Sequence, residues 1–497
     1  MIAHIKLRLL CAFVPLCLYS YNLQAAEPMK LSVREAIMKG LENNRALKIE
    51  RLTPQVMKTF EIEQRAAFDP VVVGQAARQN SEAQQLLRYG ASVTNLITRE
   101  VTGNVAIQET LPTGTKISIE GSTDLLDSSL YTGDFDSTHA GISITQSILK
   151  GVGTGANLAS LRQARIDTLS SEYELRGFSE ELVSRIESTY WDYALARKYI
   201  EIYNDSLKLA SQQLDETRER IRIGKTARVE LSAAEAEMAS RKEGLINAKS
   251  QMETTKLQFL RLINPPVASL FETELILTDR PLLPDTSLDE VRVHVQAAIK
   301  NRPDLNQARL DLDKGNIEVA KTRNGLLPKL DLFISLGNTG YADSFSGSIR
   351  NINGDYNDFI AGIQFEYPLG DRESSAKYRR AKLTREQAKE ALENMTQLVE
   401  MDVRSAYIET NRSREQMSAT AATVKQREEV LRSENEKFRV GKSTSLLVAQ
   451  AQRDLLGSKI QEVESIISHI KSLISLYKME GSLLQRRGIN ITENISK

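Results

Sequence analysis

The sequence predicts a mainly α-helical fold written twice along the chain, with a strand-built segment set into each copy. The first observation is a repeated break. Tyr190 opens a long helical run that stops at Arg222-Ile223-Gly224-Lys225 and resumes at Val229, and Tyr407 opens another that stops at Arg439-Val440-Gly441-Lys442 and resumes at Leu446. In both, the glycine follows the tyrosine by 34 residues. The second is the size of the unit, roughly two hundred residues, far beyond solenoid periods of about 20–50. The third is a change of hydrophobic period from helical to two in one stretch of each half.

Charge is high and balanced, with 65 Lys and Arg against 65 Asp and Glu in 497 residues. There is no basic footprint for nucleic acid and no acidic tail. Residues 1–25 read as a signal peptide: His4, Lys6 and Arg8 precede an apolar run from Leu9 to Leu18, and Leu23-Gln24-Ala25 offers a small-residue cleavage site. The apolar run is too short to span a bilayer as a helix. Both cysteines, Cys11 and Cys17, lie inside it, so the mature chain is expected to have no disulfide or thiolate site. No later apolar run is long enough for a membrane helix, so entry into a membrane has to be by strands.

Taken in order, the first repeat spans residues 26–270. Ser32 with Glu35 forms a capping box, and a helix is expected from Ser32 to about Ala67, ended by Phe68-Asp69-Pro70. Val71-Val72-Val73 starts an extended segment, and strands are expected over about 100–148. Val101, Val105, Ile107, Ile117, Ile119, Ile142 and Ile144 alternate there with polar or small residues, around a Pro112-Thr113-Gly114 turn. Such strands suit a barrel with one lipid face and one wet face, and equally a half-buried soluble sheet. A helical hairpin follows over 156–263. In its second arm Leu231, Met238, Leu245, Met252 and Phe259 recur every seventh residue, the signal of coiled-coil packing.

Residues 271–288 read as a linker and 289–484 as the second repeat. Pro328 leads into strands over about 329–368, which flank a polar loop from Gly337 to Asp358 and end at Pro368-Leu369-Gly370. A second hairpin is expected over 373–484. Its last arm carries the seam Leu456, Ile460, Val463, Ile467, Ile470, Ile474 and Tyr477. Residues 485–497 read as a loosely ordered polar tail.

Chemistry finds little to work with. Gly224-Lys225-Thr226 and Gly441-Lys442-Ser443 look like the end of a phosphate loop, but Glu219 and Glu436 stand where its first glycine belongs, and a helix precedes each. The histidines His139, His294 and His469 are scattered, and no metal-binding or nucleophile motif appears. No catalytic residue, metal site or cofactor is expected. Trp191, beside Tyr190 and Tyr193, reads as helix packing.

The doubled order, with Asn-Arg-Pro-Asp-Leu at 301–305, Pro70 and Pro328 at helix-to-strand joins, and Gln146-Ser147-Ile148-Leu149 matched by Glu366-Tyr367-Pro368-Leu369, resembles the TolC-type outer-membrane efflux protein family. The resemblance covers nearly the whole mature chain. It implies a homotrimer in the outer membrane of a Gram-negative bacterium, with a periplasmic α-barrel topped by a shared 12-stranded β-barrel. The implied function is the exit duct of a tripartite efflux or type I secretion system. Its partners would be a periplasmic adaptor (membrane fusion protein), a proton-driven or ATP-driven inner-membrane transporter, and outer-membrane lipid.

By the same resemblance, Ile223, Gly224, Lys225, Val440, Gly441 and Lys442 would be adaptor-docking tips, and Pro70, Pro328 and Pro368 helix-to-barrel joins. The family often narrows its periplasmic mouth with carboxylates just after these glycines. Here only Glu230 is placed for that, since Leu447 and Gln450 stand at the matching positions of the second repeat. Tyr131, Phe135, Tyr341, Phe359 and Tyr367 are candidates for an interfacial girdle. The competing readings are a periplasmic coiled-coil scaffold or adaptor without a pore, which has no need of the strands, and an exported enzyme, which lacks the residues.

Overall fold

The computed structural model describes residues 28–86, 93–129, 133–266, 270–281, 288–354 and 356–489. The signal peptide, Tyr131, the last part of the linker and the end of the polar tail lie outside these residues. The chain begins with a short strand, β1 (Met29–Leu31), and three helices, α1 (Val33–Asn43), α2 (Arg45–Glu50) and α3 (Thr53–Ala66). The capping box is present: Ser32 Oγ accepts from Glu35 N, and Glu35 Oε2 from Ser32 N. The expected single helix is broken because Asn44 stops α1 and caps α2 by accepting from Leu47 N at 3.1 Å, while Pro54 opens α3.

Four strands follow: β2 (Val71–Leu86), β3 (Val93–Thr110), β4 (Thr115–Ser128) and β5 (Phe135–Ser147). Strand structure therefore starts about thirty residues before the expected 100. The stretch Gly74-Gln75-Ala76-Ala77-Arg78-Gln79-Asn80 has no alternating apolar signal. It is strand because its whole length pairs with β3, so tertiary context overrides propensity.

A short turn of helix, α4 (Thr154–Asn157), leads into α5 (Ala159–Arg222), which returns as α6 (Val229–Ile263). The linker is not featureless. Its β6 (Leu275–Leu277) pairs in parallel with β1. The second repeat has α7 (Val291–Asn301), α8 (Pro303–Gly325), β7 (Lys329–Ala342), α9 (Phe345–Arg350) and β8 (Asn357–Glu366). It closes with α10 (Arg372–Arg439), α11 (Ser445–Met479) and α12 (Leu483–Arg486). The expected polar loop is thus partly strand and partly the helix α9. Residues 485–489 of the tail are docked: the Arg487 guanidinium makes two 2.6 Å bonds to the buried carboxylate of Glu187 on α5.

The waist is one apolar core joining both repeats, with Leu31, Ile37, Leu47, Ile186, Tyr190, Trp191, Phe259, Ile467 and Ile474 among its members. Tyr190 is fully buried, edge-on to Trp191 and Phe259. Its hydroxyl donates to Leu31 O and accepts from Asp279 N, so it ties the β1–β6 pair to α5. The coiled-coil seams are buried in part: Leu245, Phe259, Leu456, Ile467, Ile470 and Ile474 are buried, while Leu231, Met238, Met252, Ile460, Val463 and Tyr477 are only half-buried.

Above the waist α3, α5, α8 and α10 lie side by side in that order, and the strands continue from them as one six-stranded antiparallel sheet, β2-β3-β4-β5-β7-β8. One face is apolar. Val72, Ile107, Ile119, Ile142, Leu336 and Phe359 are directly paired neighbours across all six strands, and every one is exposed. The opposite face carries Gln108, Ser118, Ser143 and Ser335 across the four inner strands of the adjacent row, with Val71 and Ile360 at its two edges. A soluble sheet covers its apolar face, and this one is bare, which favours a lipid-facing surface over a half-buried soluble sheet. No helix among the described residues is long and apolar enough to cross a membrane.

Candidate functional site

Each helical hairpin turns through the same motif, far from the sheet. At the end of α5, Ile223 is the cap and Gly224 takes φ +73°. The Gly224 N–H donates to Ile221 O, and Lys225 N donates to Arg220 O at 2.8 Å. At the end of α10, Val440 is the cap and Gly441 takes φ +74°. There Gly441 N donates to Phe438 O, and Lys442 N to Lys437 O at 2.8 Å. This pair of bonds is the Schellman ending, which needs a left-handed residue and so selects glycine. A Cβ on either glycine would meet nothing within 4 Å, so conformation rather than crowding requires them.

The turns leave apolar side chains in solvent. Ile223 is 50% exposed, Val229 77%, Val440 68% and Leu446 58%, with Lys225 and Lys442 exposed among them. Beside each turn a carboxylate is held by the neighbouring guanidinium, Glu219 by Arg222 and Glu436 by Arg439. The hydrogen bond from Arg222 holds the Glu219 carboxyl below its usual range. The tips therefore present apolar surface, free backbone and lysine ammonium groups.

The two tips are fastened together. The Arg220 guanidinium stacks 4.1 Å over the Phe438 ring and donates to Phe438 O at 3.0 Å. Glu230, half-buried, accepts from Ser445 N at 3.2 Å and so sits on the positive end of α11. One layer further in, buried Glu237 accepts from Arg241 on its own helix and from Arg453 on α11. The sequence reading named the six turn residues and Glu230, which the structure places at and beside the two turns, but did not name Arg220, Phe438, Glu237 or Arg453. A charged residue on a helix gives no sign of its cross-helix partner in a sequence.

The tips are not equivalent. Thr444 caps α11 by accepting from Leu447 N, and Ser443 donates to Glu434. The start of α6 has Arg228 at the cap position and no side-chain cap bond.

The proline joins lie at the other end. Pro70 separates α3 from β2, Pro328 separates α8 from β7, and Pro368 follows β8 before α10. Lys150 N donates to Pro328 O, and Asn157 donates to Pro112 O and Gly151 O, which binds the base of the sheet into one piece. Of the girdle candidates, Phe359 is on the apolar face. Phe135 and Tyr341 instead stack on each other at 5.4 Å on the polar face, with Tyr356 edge-on to Tyr341. Strand parity puts them there, and alternation within 135–147 was enough to show it. On the same polar face the His139 ring lies flat over Gly141 and Gly337, where any Cβ would overlap it, and Thr339 bridges His139 to Asp358.

The sequence pattern of the outer membrane efflux protein family matches residues 63–264 and 294–482. The chain is 20% identical over 364 residues to the outer membrane protein TolC of Vibrio cholerae serotype O1, covering 72% of this chain and 80% of that one. It is 21% identical over 353 residues to the proteases secretion protein PrtF of Dickeya chrysanthemi, covering 70% and 74%. Among solved structures, the CmeC outer membrane channel of Campylobacter jejuni superposes with a TM-score of 0.66 at 15% identity, covering 93% of this chain and 88% of that one. The outer-membrane channel OprN gives 0.67 at 14% identity, covering 90% and 89%. With most of each repeat inside the matched residues, a bare apolar sheet at one end and a large helical part that lies in the periplasm, this chain belongs to the outer membrane efflux protein family.

Proposed function

We propose that three copies of this chain form a passive exit duct of a tripartite efflux or type I secretion system, carrying small molecules or secreted protein across the periplasm and outer membrane. The observation that carries this is the pairing of a bare apolar sheet face with helical tips set about 100 Å away along α5. Strands from one chain cannot close, and open edges are not tolerated in lipid, so copies have to share a barrel. The expected count of twelve strands takes four from each chain, whereas the described residues of this chain carry six in one sheet.

The tips at Ile223-Gly224-Lys225 and Val440-Gly441-Lys442 dock the hairpins of a periplasmic adaptor, which links the duct to a proton-driven or ATP-driven inner-membrane transporter. Exposed apolar residues at both turns support this. Glu230 lines the periplasmic constriction, a reading supported by its place at the tip beside the start of α11. A Glu230→Ala channel is expected to differ in conductance, and unchanged conductance would remove that role. A scaffold without a pore is disfavoured by the apolar row, which it has no use for.

The native mass of protein extracted in detergent from a separated outer-membrane fraction tests the assembly. Three chains are expected, and a monomer or dimer from soluble periplasm would overturn it. For the tips, Gly224→Val with Gly441→Val puts β-branched residues at positive φ. The trimer should persist while export is lost. Undiminished export would exclude the tips as docking sites.

A further inference from the structure

We infer that each chain gives all six strands to the shared barrel, so that three copies close an eighteen-stranded wall through β2 of one protomer paired with β8 of the next. This rests on the trimeric duct proposed above.

The first argument is the stagger of the apolar row. Counted from the helix-proximal end of its strand, Val72 stands one residue from Val71 and Ile107 three from Thr110. Ile119 stands four from Thr115, Ile142 five from Ser147, and Leu336 and Phe359 each seven from Lys329 and Glu366. The row therefore climbs about six residues, ~20 Å, while crossing five inter-strand gaps, ~24 Å. Those two lengths give a strand tilt of roughly 40°, inside the 35–45° of closed barrels. The climb runs through β3 and β4 without a break. A hairpin lying outside the wall as a flap would have no reason to keep the tilt, the apolar row or the polar face.

The second argument is width. The four helices beneath the sheet, at about 9 Å each, occupy an arc of ~36 Å per chain. Six strands at ~4.8 Å, tilted by 40°, occupy ~38 Å, whereas four occupy only ~25 Å. Six strands match the helices that feed them. Three copies give a wall ~36 Å across between backbones, against ~24 Å for twelve strands of the same tilt.

The third is the edges. β2 and β8 end the sheet order, and β2 leaves the helices while β8 returns to them, so a neighbour's β8 meets β2 antiparallel. An even number of strands per chain keeps apolar residues outward all the way round.

The test uses the full-length protein in outer membranes, since its only cysteines are Cys11 and Cys17. Ile107→Cys and Ile119→Cys, on the two strands in question, are treated with a membrane-permeant lipophilic maleimide or a charged water-soluble one. Labelling by the lipophilic reagent alone is expected, and labelling by the charged reagent would put β3 and β4 outside the wall. In parallel, Phe359→Cys is combined in turn with Arg78→Cys, Asn80→Cys and Glu82→Cys. One register should give chain-to-chain disulfides on oxidation, and none in any register would overturn the closure. A native mass other than three chains sinks the duct itself. A trimer with water-labelled Ile107→Cys sinks only the eighteen-stranded wall.

Discussion

The two repeats agree in their helices and differ in their strands. α6 and α11 are each 35 residues long, and both hairpins turn through the same bonded glycine. Between the helices, however, the described residues of the first repeat carry four strands and those of the second carry two with a short helix between them. The difference reflects what each architecture tolerates. A helix in a coiled coil is fixed by its seam, so adding or losing a few residues moves every buried position. A sheet grows by hairpins, and an added pair restores both direction and side-chain parity.

Three changes sharpen that comparison, and the largest concerns the strands. Ile119 is on β4 of the first repeat and Leu336 on β7 of the second, in the same apolar row. Lysine at either is expected to cost about 2–4 kcal/mol if the site is deep in lipid. Ile119→Lys and Leu336→Lys should both deplete the trimer from the outer-membrane fraction. Ser118→Lys, one residue away on the polar face, should leave its amount unchanged. Depletion by Leu336→Lys alone would separate the two repeats.

The next effect is smaller and concerns α5 against α10. Glu180 is buried, and burial pushes its carboxyl up to about 7 against the pull of Arg176. At the spacing that sets Gly224 on Gly441, the equivalent residue is the exposed Gln397. A raised carboxyl pKa means the folded state holds the proton more tightly. Its contribution to stability is complete below about 4.5 and is lost as pH rises to about 7. Glu180→Gln should therefore melt with the parent near pH 4.5 and above it by pH 7–8, by an amount of order 3 kcal/mol at most. A gap independent of pH would refute this.

The smallest concerns the tips. Thr444→Ala removes the cap of α11 and should cost about 1 kcal/mol, seen as faster amide exchange in its first turn. Arg228→Thr should slow exchange at the start of α6, which lacks such a cap. Equal exchange in the two parent helices would erase the asymmetry.

Much of this was legible in the residues. The seams showed because a seven-residue repeat sums over many turns, and the tips showed because glycine after Arg-Ile or Arg-Val has one strong use in a helix. The strand β2 was hidden because Gln, Asn, Ala and Arg carry no period, and only its pairing with β3 makes it a strand. Arg220 on Phe438 and Glu230 on Ser445 were hidden for a different reason. They join positions more than two hundred residues apart, and nothing local encodes the partner.

The clasp at the waist sets an order of events. β1 meets β6, and the Tyr190 hydroxyl reaches Asp279, all within the first repeat and the linker. Those contacts need no residue beyond 279, whereas the rest of the waist waits for Ile467 and Ile474, and β5 waits for β7, whose first residue is Lys329. Until β7 arrives β5 is an unpaired edge, open to any other strand nearby, so the duplicated plan leaves the first repeat's sheet unfinished until the second repeat reaches it.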